Sequence, residues 1–287
     1  MKPTDLGTYA KNTWCPGCGN FSILNAMRAV LAQLDEEGLP VEEVVLVSGI
    51  GCHGKIVDYL NVNSFYSIHG RTLPVATAIK LANPERKVIC FSGDGDCLAE
   101  GLDHLIFAAK RNIDITLILH DNRVYGLTTG QYTPTSPQGF KGKSTPLGSA
   151  EPPMNPPELM LVSGATYIAR GYTHGIDLLQ RLFKEAILHK GFSFVDVLQV
   201  CMTYNNLYES YNKCVYEMKG NDTSSFDEAL RLSRSWRYDG PDAPIPLGRF
   251  YQVDAPSFEE VFPGFELVDL DEAKREKKIS EVLERMI

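Results

Sequence analysis

The 287-residue chain is short of positive charge: 28 Lys and Arg against 36 Asp and Glu leave a formal charge of −8. That deficit argues against nucleic acid as the main partner, because phosphate binding needs clustered basic side chains. Long apolar runs are also missing, and none approaches the roughly 20 residues of a membrane span. The opening residues, Met1-Lys2-Pro3-Thr4-Asp5-Leu6, contain no apolar secretory core, so a cytoplasmic protein is expected. The seven cysteines are odd in number. Without an export signal, a disulfide framework is disfavoured, and metal or redox use of sulfur becomes the stronger expectation. In other respects the composition is globular, with 44% hydrophobic and 22% charged residues, and the length suits one or two domains with a large core.

Apolar residues at helical spacing predict a helix over Ser22 to Leu34. Continuous apolar runs predict strands over Glu43 to Ser48, Lys87 to Ser92, Asp114 to His120 and Phe192 to Leu198. Helices are expected over Leu73 to Ala82, Leu98 to Lys110, Leu159 to Ala169 and Ile176 to His189. Residues 128–158, rich in Thr, Pro, Gly and Ser, read as a long ordered loop or lid. Beyond Asn205 the pattern decays, which divides the chain into a 1–205 binding domain and a 206–287 extension. The charged stretch Asp269 to Arg285 reads as a solvated terminal helix. Strands alternating with helices imply an α/β protein with a doubly wound parallel sheet and an irregular C-terminal extension.

In such sheets ligands bind beyond the carboxyl ends of the strands. Gly51-Cys52, Gly93-Asp94-Gly95, Asn122 and Cys201 each follow a predicted strand. Glycines after a strand let backbone amides approach a phosphate, and a helix start attracts negative charge. Asp94 would repel a bare diphosphate, whereas magnesium takes oxygens from a carboxylate and a phosphate together. Asn122 comes one helix and one strand later, where adjacent parallel strands would bring its amide oxygen beside Asp94. The carbonyl of Val124 is a possible third ligand. Gly-Asp-Gly alone is equally readable as a strand-to-helix turn with a capping Asp.

Cys15-Pro16-Gly17-Cys18 is one C-x-x-C pair, too little for a metal site, and Cys52 and Cys201 are candidates for two more thiolates. Cys90 reads as buried packing, while Cys97 and Cys214 carry no assignment. Spacing alone leaves zinc and an iron–sulfur cluster near parity.

The Gly-Asp-Gly to Asn pattern resembles the thiamine diphosphate-binding motif. Trp14-Cys15-Pro16-Gly17-Cys18-Gly19-Asn20, Ile50-Gly51-Cys52, His69-Gly70-Arg71, Gly93-Asp94-Gly95-Asp96 and Asp121-Asn122-Arg123-Val124-Tyr125-Gly126-Leu127-Thr128 occur in order. Together they resemble the beta subunits of 2-oxoacid:ferredoxin oxidoreductases, most closely the 2-oxoglutarate branch, over roughly residues 10–215. The resemblance implies CoA-dependent oxidative decarboxylation of a 2-oxoacid, with thiamine diphosphate, magnesium and one 4Fe-4S cluster. It puts magnesium on Asp94, Asn122 and Val124, and the diphosphate against Gly95 and Asp96. The cluster falls on Cys15, Cys18, Cys52 and Cys201. Ile50, Gly51, Cys52, His53, His69, Gly70, Arg71, Gly126 and Leu127 fall on cofactor-contacting segments. His53 departs from the small residue often found after the third cysteine.

Activating the thiamine ring requires a Glu, and none stands out, since Glu100 falls at the diphosphate end. The resemblance therefore implies an alpha subunit, in a heterodimer or a dimer of heterodimers, with ferredoxin as electron acceptor. Lys55 and Arg71 are candidates to pair with the substrate carboxylate, or to serve the diphosphate or the subunit interface. Leu127 is a candidate border for the substrate side chain. Two alternatives are a non-redox thiamine-dependent decarboxylase or synthase component, and a zinc-stapled assembly subunit without catalysis.

Overall fold

Runs of Val, Ile, Leu and Phe that are too uniformly apolar to alternate form the buried centre of a sheet. The computed structural model describes residues 1–238, 243–261 and 271–284. Its strands are β1 (Val44–Ser48), β2 (Ser64–Tyr66), β3 (Lys87–Gly93), β4 (Ile115–Asp121), β5 (Tyr167–Tyr172), β6 (Ser193–Leu198), β7 (Val215–Glu217) and β8 (Ile245–Gln252). Among the described residues they form one sheet in the order β2-β1-β3-β4-β6-β5-β8-β7. All pairs are parallel except β5 with β8.

Helices cover both faces, as a parallel sheet requires. α1 (Asn20–Glu36) buries Ile23, Leu24, Met27, Val30, Leu31 and Leu34 on one face. Each such side chain contributes roughly 1.5–3 kcal/mol by leaving water. α2 (Thr72–Ala82) and α4 (Leu102–Arg111) pack on the other face, and α3 (Asp94–Leu98) is a single short turn after β3. α5 (Pro156–Ser163) joins α2 and α4, while α6 (Ile176–Leu188) lies beside α1. The extension supplies α7 (Tyr208–Cys214), α8 (Phe226–Ser233), α9 (Phe258–Val261) and α10 (Glu272–Glu284). No described helix is long and apolar enough to cross a membrane.

The structure departs from the sequence reading in three places. The helix expected over Leu159 to Ala169 ends at Ser163, because Gly164 adopts a left-handed conformation (φ +96°) that closes it. The chain then enters β5, whose Arg170 and Gly171 hide its strand character. The helix expected over Leu98 to Lys110 is two helices separated at 99–101. The segment read as irregular carries β7, α8 and β8. β8 contains Pro246 and Gly248, both strand-weakening residues, yet it pairs with β5 across a bulge at Ile168/Ala169. The terminal helix is present as α10; positions 269, 270 and 285 of its expected span lie outside the described residues.

Candidate functional site

β1, β3, β4 and β6 are consecutive in the sheet and parallel, so their carboxyl ends share one rim. Gly93 is level with His120, and Asp121 with Leu198. The chain leaving these strands therefore brings Cys52, Asp94, Asn122 and Cys201 onto one edge. Two cavities open there, and Cys52, Asn122, Gly126 and Leu127 line both.

The first is an open cleft, with about 440 Å³ of space including the solvent at its mouth. Asp94, Gly95 and Asp96 form its floor, with Ile50, Gly51 and His53 on one side and Asn122 and Val124 on the other. Asp94 Oδ2 accepts hydrogen bonds from Thr133 Oγ1 (2.5 Å) and Thr135 Oγ1 (2.7 Å). Burial pushes the Asp94 carboxyl above its ordinary range, and the threonine bonds only partly oppose this. Thr135 Oγ1 also lies 2.8 Å from Asp121 Oδ1. Burial, then the charges of Asp196 and Asp94, push the Asp121 carboxyl far above its ordinary range. Asn122 Oδ1 accepts from the Val124 N–H at 3.1 Å. One carboxylate, one amide oxygen and one backbone carbonyl make an all-oxygen donor set, which suits magnesium.

Asp96 clamps the segments that surround the cleft. Its Oδ1 accepts from the Gly70 N–H (2.9 Å) and the Ile50 N–H (3.4 Å), and its Oδ2 from Ser92 Oγ (2.6 Å). His53 Nε2 is 3.6 Å from Oδ2. Burial opposes ionisation of Asp96, yet His53, Ser92 and Gly70 together hold its carboxyl below the ordinary range. Gly70 needs its φ of +65°, and a Cβ there would sit 2.2 Å from Glu100 O. Gly95 lies under the Tyr125 ring, where a Cβ would come within 2.3 Å. His69 stands at the mouth with Nδ1 3.1 Å from Glu100 Oε2. Arg71 is exposed and donates to the Gly70 and Glu100 carbonyls.

The second cavity, of about 710 Å³, is lined by Cys15, Cys18, Cys52 and Cys201. Four loops distant in sequence meet here. The Gly19 N–H donates to Val200 O (3.1 Å), Tyr208 Oη to Gly17 O (3.1 Å) and Trp14 Nε1 to Cys52 O (2.6 Å). A Cβ on Gly126 would lie 3.5 Å from Cys201 Sγ and 3.8 Å from Cys52 Sγ, so both sulfurs abut the shared wall. Burial pushes the Cys18 thiol up to about 12, and the other three cysteines add to the rise. Burial also raises Cys52, against the nearby charge of Lys55. Lys55 lines this cavity and donates to Thr13 Oγ1 at 2.9 Å. Among the described residues, no three His, Cys, Asp or Glu side chains converge tightly enough to hold a single ion. The thiols are spread around a cavity instead. Asn20, on the same wall, is 1% exposed with its Nδ2 unpartnered. Cys90 and Cys97 are buried elsewhere, and Cys214 lies outside the cavity.

The motif reading missed Thr133, Thr135, Ser136, Arg123 and Gln199. The first three sit in the Thr/Pro-rich loop, where composition indicates only a loop. Arg123 adopts φ +61°, donates to Thr135 O and Tyr238 O, and lies over Trp236 and Tyr238. The extension thus grips the loop carrying Asn122 and Val124.

Residues 49–197 match the family model of the C-terminal TPP-binding domain of thiamine pyrophosphate enzymes. Residues 201–266 match that of the C-terminal part of the pyruvate ferredoxin oxidoreductase beta chain. The protein is 42% identical over 262 residues to a 2-oxoacid:ferredoxin oxidoreductase subunit beta of Sulfolobus sp, covering 87% of this chain and 85% of the relative. It is 36% identical over 248 residues to the 2-oxoglutarate synthase subunit KorB of Methanocaldococcus jannaschii, covering 86% and 90%. A solved 2-oxoglutarate:ferredoxin oxidoreductase from Magnetococcus marinus, with 2-oxoglutarate, coenzyme A and succinyl-CoA bound, superposes with a TM-score of 0.85 at 35% identity. The match covers 91% of this chain and 88% of that one.

Proposed function

Because the chain belongs to the beta subunits of the 2-oxoacid:ferredoxin oxidoreductases, we propose that it holds thiamine diphosphate, magnesium and one 4Fe-4S cluster. With an alpha subunit it catalyses CoA-dependent oxidative decarboxylation of a 2-oxoacid, 2-oxoglutarate foremost, and passes electrons to ferredoxin. The observation that carries this reading is the wall shared by the two cavities, since Cys52, Asn122, Gly126 and Leu127 face both.

Asp94, Asn122 and the Val124 carbonyl would hold magnesium, and Gly95 would admit the diphosphate. Bound thiamine diphosphate supplies the electron sink for losing carbon dioxide from a 2-oxoacid. The chain's own contribution is placement. Asp96 fixes the Ile50 and Gly70 segments, and Thr133 and Thr135 fix the Asp94 carboxylate. Cys15, Cys18, Cys52 and Cys201 are the thiolate donors for the cluster. Lys55 and Arg71 remain candidates for the substrate carboxylate, Leu127 for its side chain, and His69 and Gly70 for the cofactor. Residues 1–205 form the cofactor-binding unit and 206–287 its extension. A ferredoxin-linked cluster suits the reducing cytoplasm.

The test is anaerobic co-expression with the alpha subunit, then viologen reduction with CoA across several 2-oxoacids. We expect brown protein, with activity highest on 2-oxoglutarate. Colourless protein with stoichiometric zinc, or decarboxylation without viologen reduction, would refute the proposal.

A further inference from the structure

Gln199 lines the sulfur cavity, one residue past β6 and two before Cys201, and is 1% exposed. Its backbone N–H donates to Asp121 O at 2.9 Å. Its side-chain Oε1 accepts from Asn122 Nδ2 at 2.9 Å. Its Nε2 donates to Val200 O at 2.7 Å and toward Cys18 Sγ at 3.5 Å. One neutral carboxamide therefore ends on a magnesium-side amide in one direction and a cluster-side sulfur in the other. Only a group that accepts at one end and donates at the other can do both: a carboxylate lacks the donor, and an aliphatic chain lacks both.

From this chain of bonds, and resting on the function proposed above, we infer that Gln199 is a positioning residue coupling the diphosphate cleft to the iron–sulfur cluster. Toward the cleft, it engages the Asn122 nitrogen. The amide oxygen, already beside the Val124 N–H, is thereby kept facing the metal side. Toward the cluster, its N–H meets a ligand sulfur. Hydrogen bonds to cluster sulfurs stabilise the reduced, more negative state and raise its potential. The same residue thus favours electron arrival at the cluster and holds the metal ligand of the donor side.

Gln199→Leu preserves bulk and removes all three side-chain bonds, whereas Gln199→Glu keeps an acceptor for Asn122 and loses the donors to Cys18 Sγ and Val200 O. The holoenzyme with its alpha subunit is used throughout. EPR-monitored redox titration reads the cluster potential, and calorimetry after cofactor removal reads magnesium–thiamine diphosphate affinity. We expect a lower midpoint potential in both variants. Affinity should weaken about five-fold in Gln199→Leu alone, the loss of one net hydrogen bond. If Gln199→Leu does not assemble, the potential of Gln199→Met, also neutral and without the donor, decides. Wild-type protein with a cluster signal, but with potential and affinity unchanged in the variants, would overturn the coupling alone. Wild-type protein with no cluster signal would overturn the underlying function as well.

Discussion

The two cavities on the carboxyl rim satisfy their polar groups in opposite ways. In the cleft, the carboxylates of Asp94 and Asp96 are both tied by short bonds to hydroxyls or backbone amides. In the sulfur cavity, Cys15 is exposed, Cys18 accepts from the Asn20 backbone N–H and, at 3.5 Å, from Gln199, and the Asn20 Nδ2 has no partner. The carboxylates of the cleft are held by the chain's own groups. The sulfur cavity is held open by the loops around it and leaves donors and thiols available. A preformed anionic cleft lowers the cost of positioning a ligand, whereas a spread of thiols acquires its order from the metal it binds.

Replacing Cys201 by Ala should break the contrast most completely. Iron content and viologen reduction should fall to background, while magnesium–thiamine diphosphate affinity measured by calorimetry stays near wild type. Asp94→Ala should do the reverse. Altering groups that merely support metal ligands costs 10–100-fold, so removing this ligand should weaken affinity by at least about 100-fold, with iron retained. Thr135→Val, which removes the hydroxyl shared by Asp94 and Asp121, should cost roughly 10-fold in the same titration.

The smallest effect concerns pH. His120 is buried against Asn20, whose Oδ1 lies 2.8 Å from Nδ1, so Nδ1 carries the proton and the buried Nε2 is bare. Burial, and then the nearby His53 charge, lower its proton affinity well below normal. The unfolded chain binds this proton below about pH 6.5 and the folded chain does not, so stability present above that pH is lost as pH falls. The limit is about 1.4 kcal/mol per pH unit for one proton. His120→Gln should show a smaller drop in Tm between pH 7 and pH 5 than wild type; an identical drop would exclude His120 as the source.

Legibility followed the same division. The strands β1, β3, β4 and β6 are uniformly apolar runs, and Asp94 and Asn122 are separated by the helical connection of α3 and α4 and by β4, so local pattern placed them on one rim. The partners of Asp94 were not readable, because Thr133 and Thr135 belong to a Pro-rich loop whose path is set by tertiary contacts. Cys15 and Cys18 were visible as a pair. Their approach to Cys201 depends on backbone bonds such as Gly19 to Val200, which no spacing encodes. β5 was missed because a buried Arg170, paired with Asp196 and stacked on Trp236 and Tyr238, overrides the composition of an ordinary strand, and β8 because Pro246 and Gly248 interrupt its pattern.

The central claim is that the cleft and the sulfur cavity work as one unit through their shared wall. Rapid-freeze EPR of the cofactor-loaded complex, mixed anaerobically with 2-oxoglutarate, tests it most directly. A reduced-cluster signal is expected in wild type and none in Asp94→Ala, although dithionite generates the signal in both. A cluster that dithionite reduces and 2-oxoglutarate never does, or one that substrate reduces equally in Asp94→Ala, would contradict it.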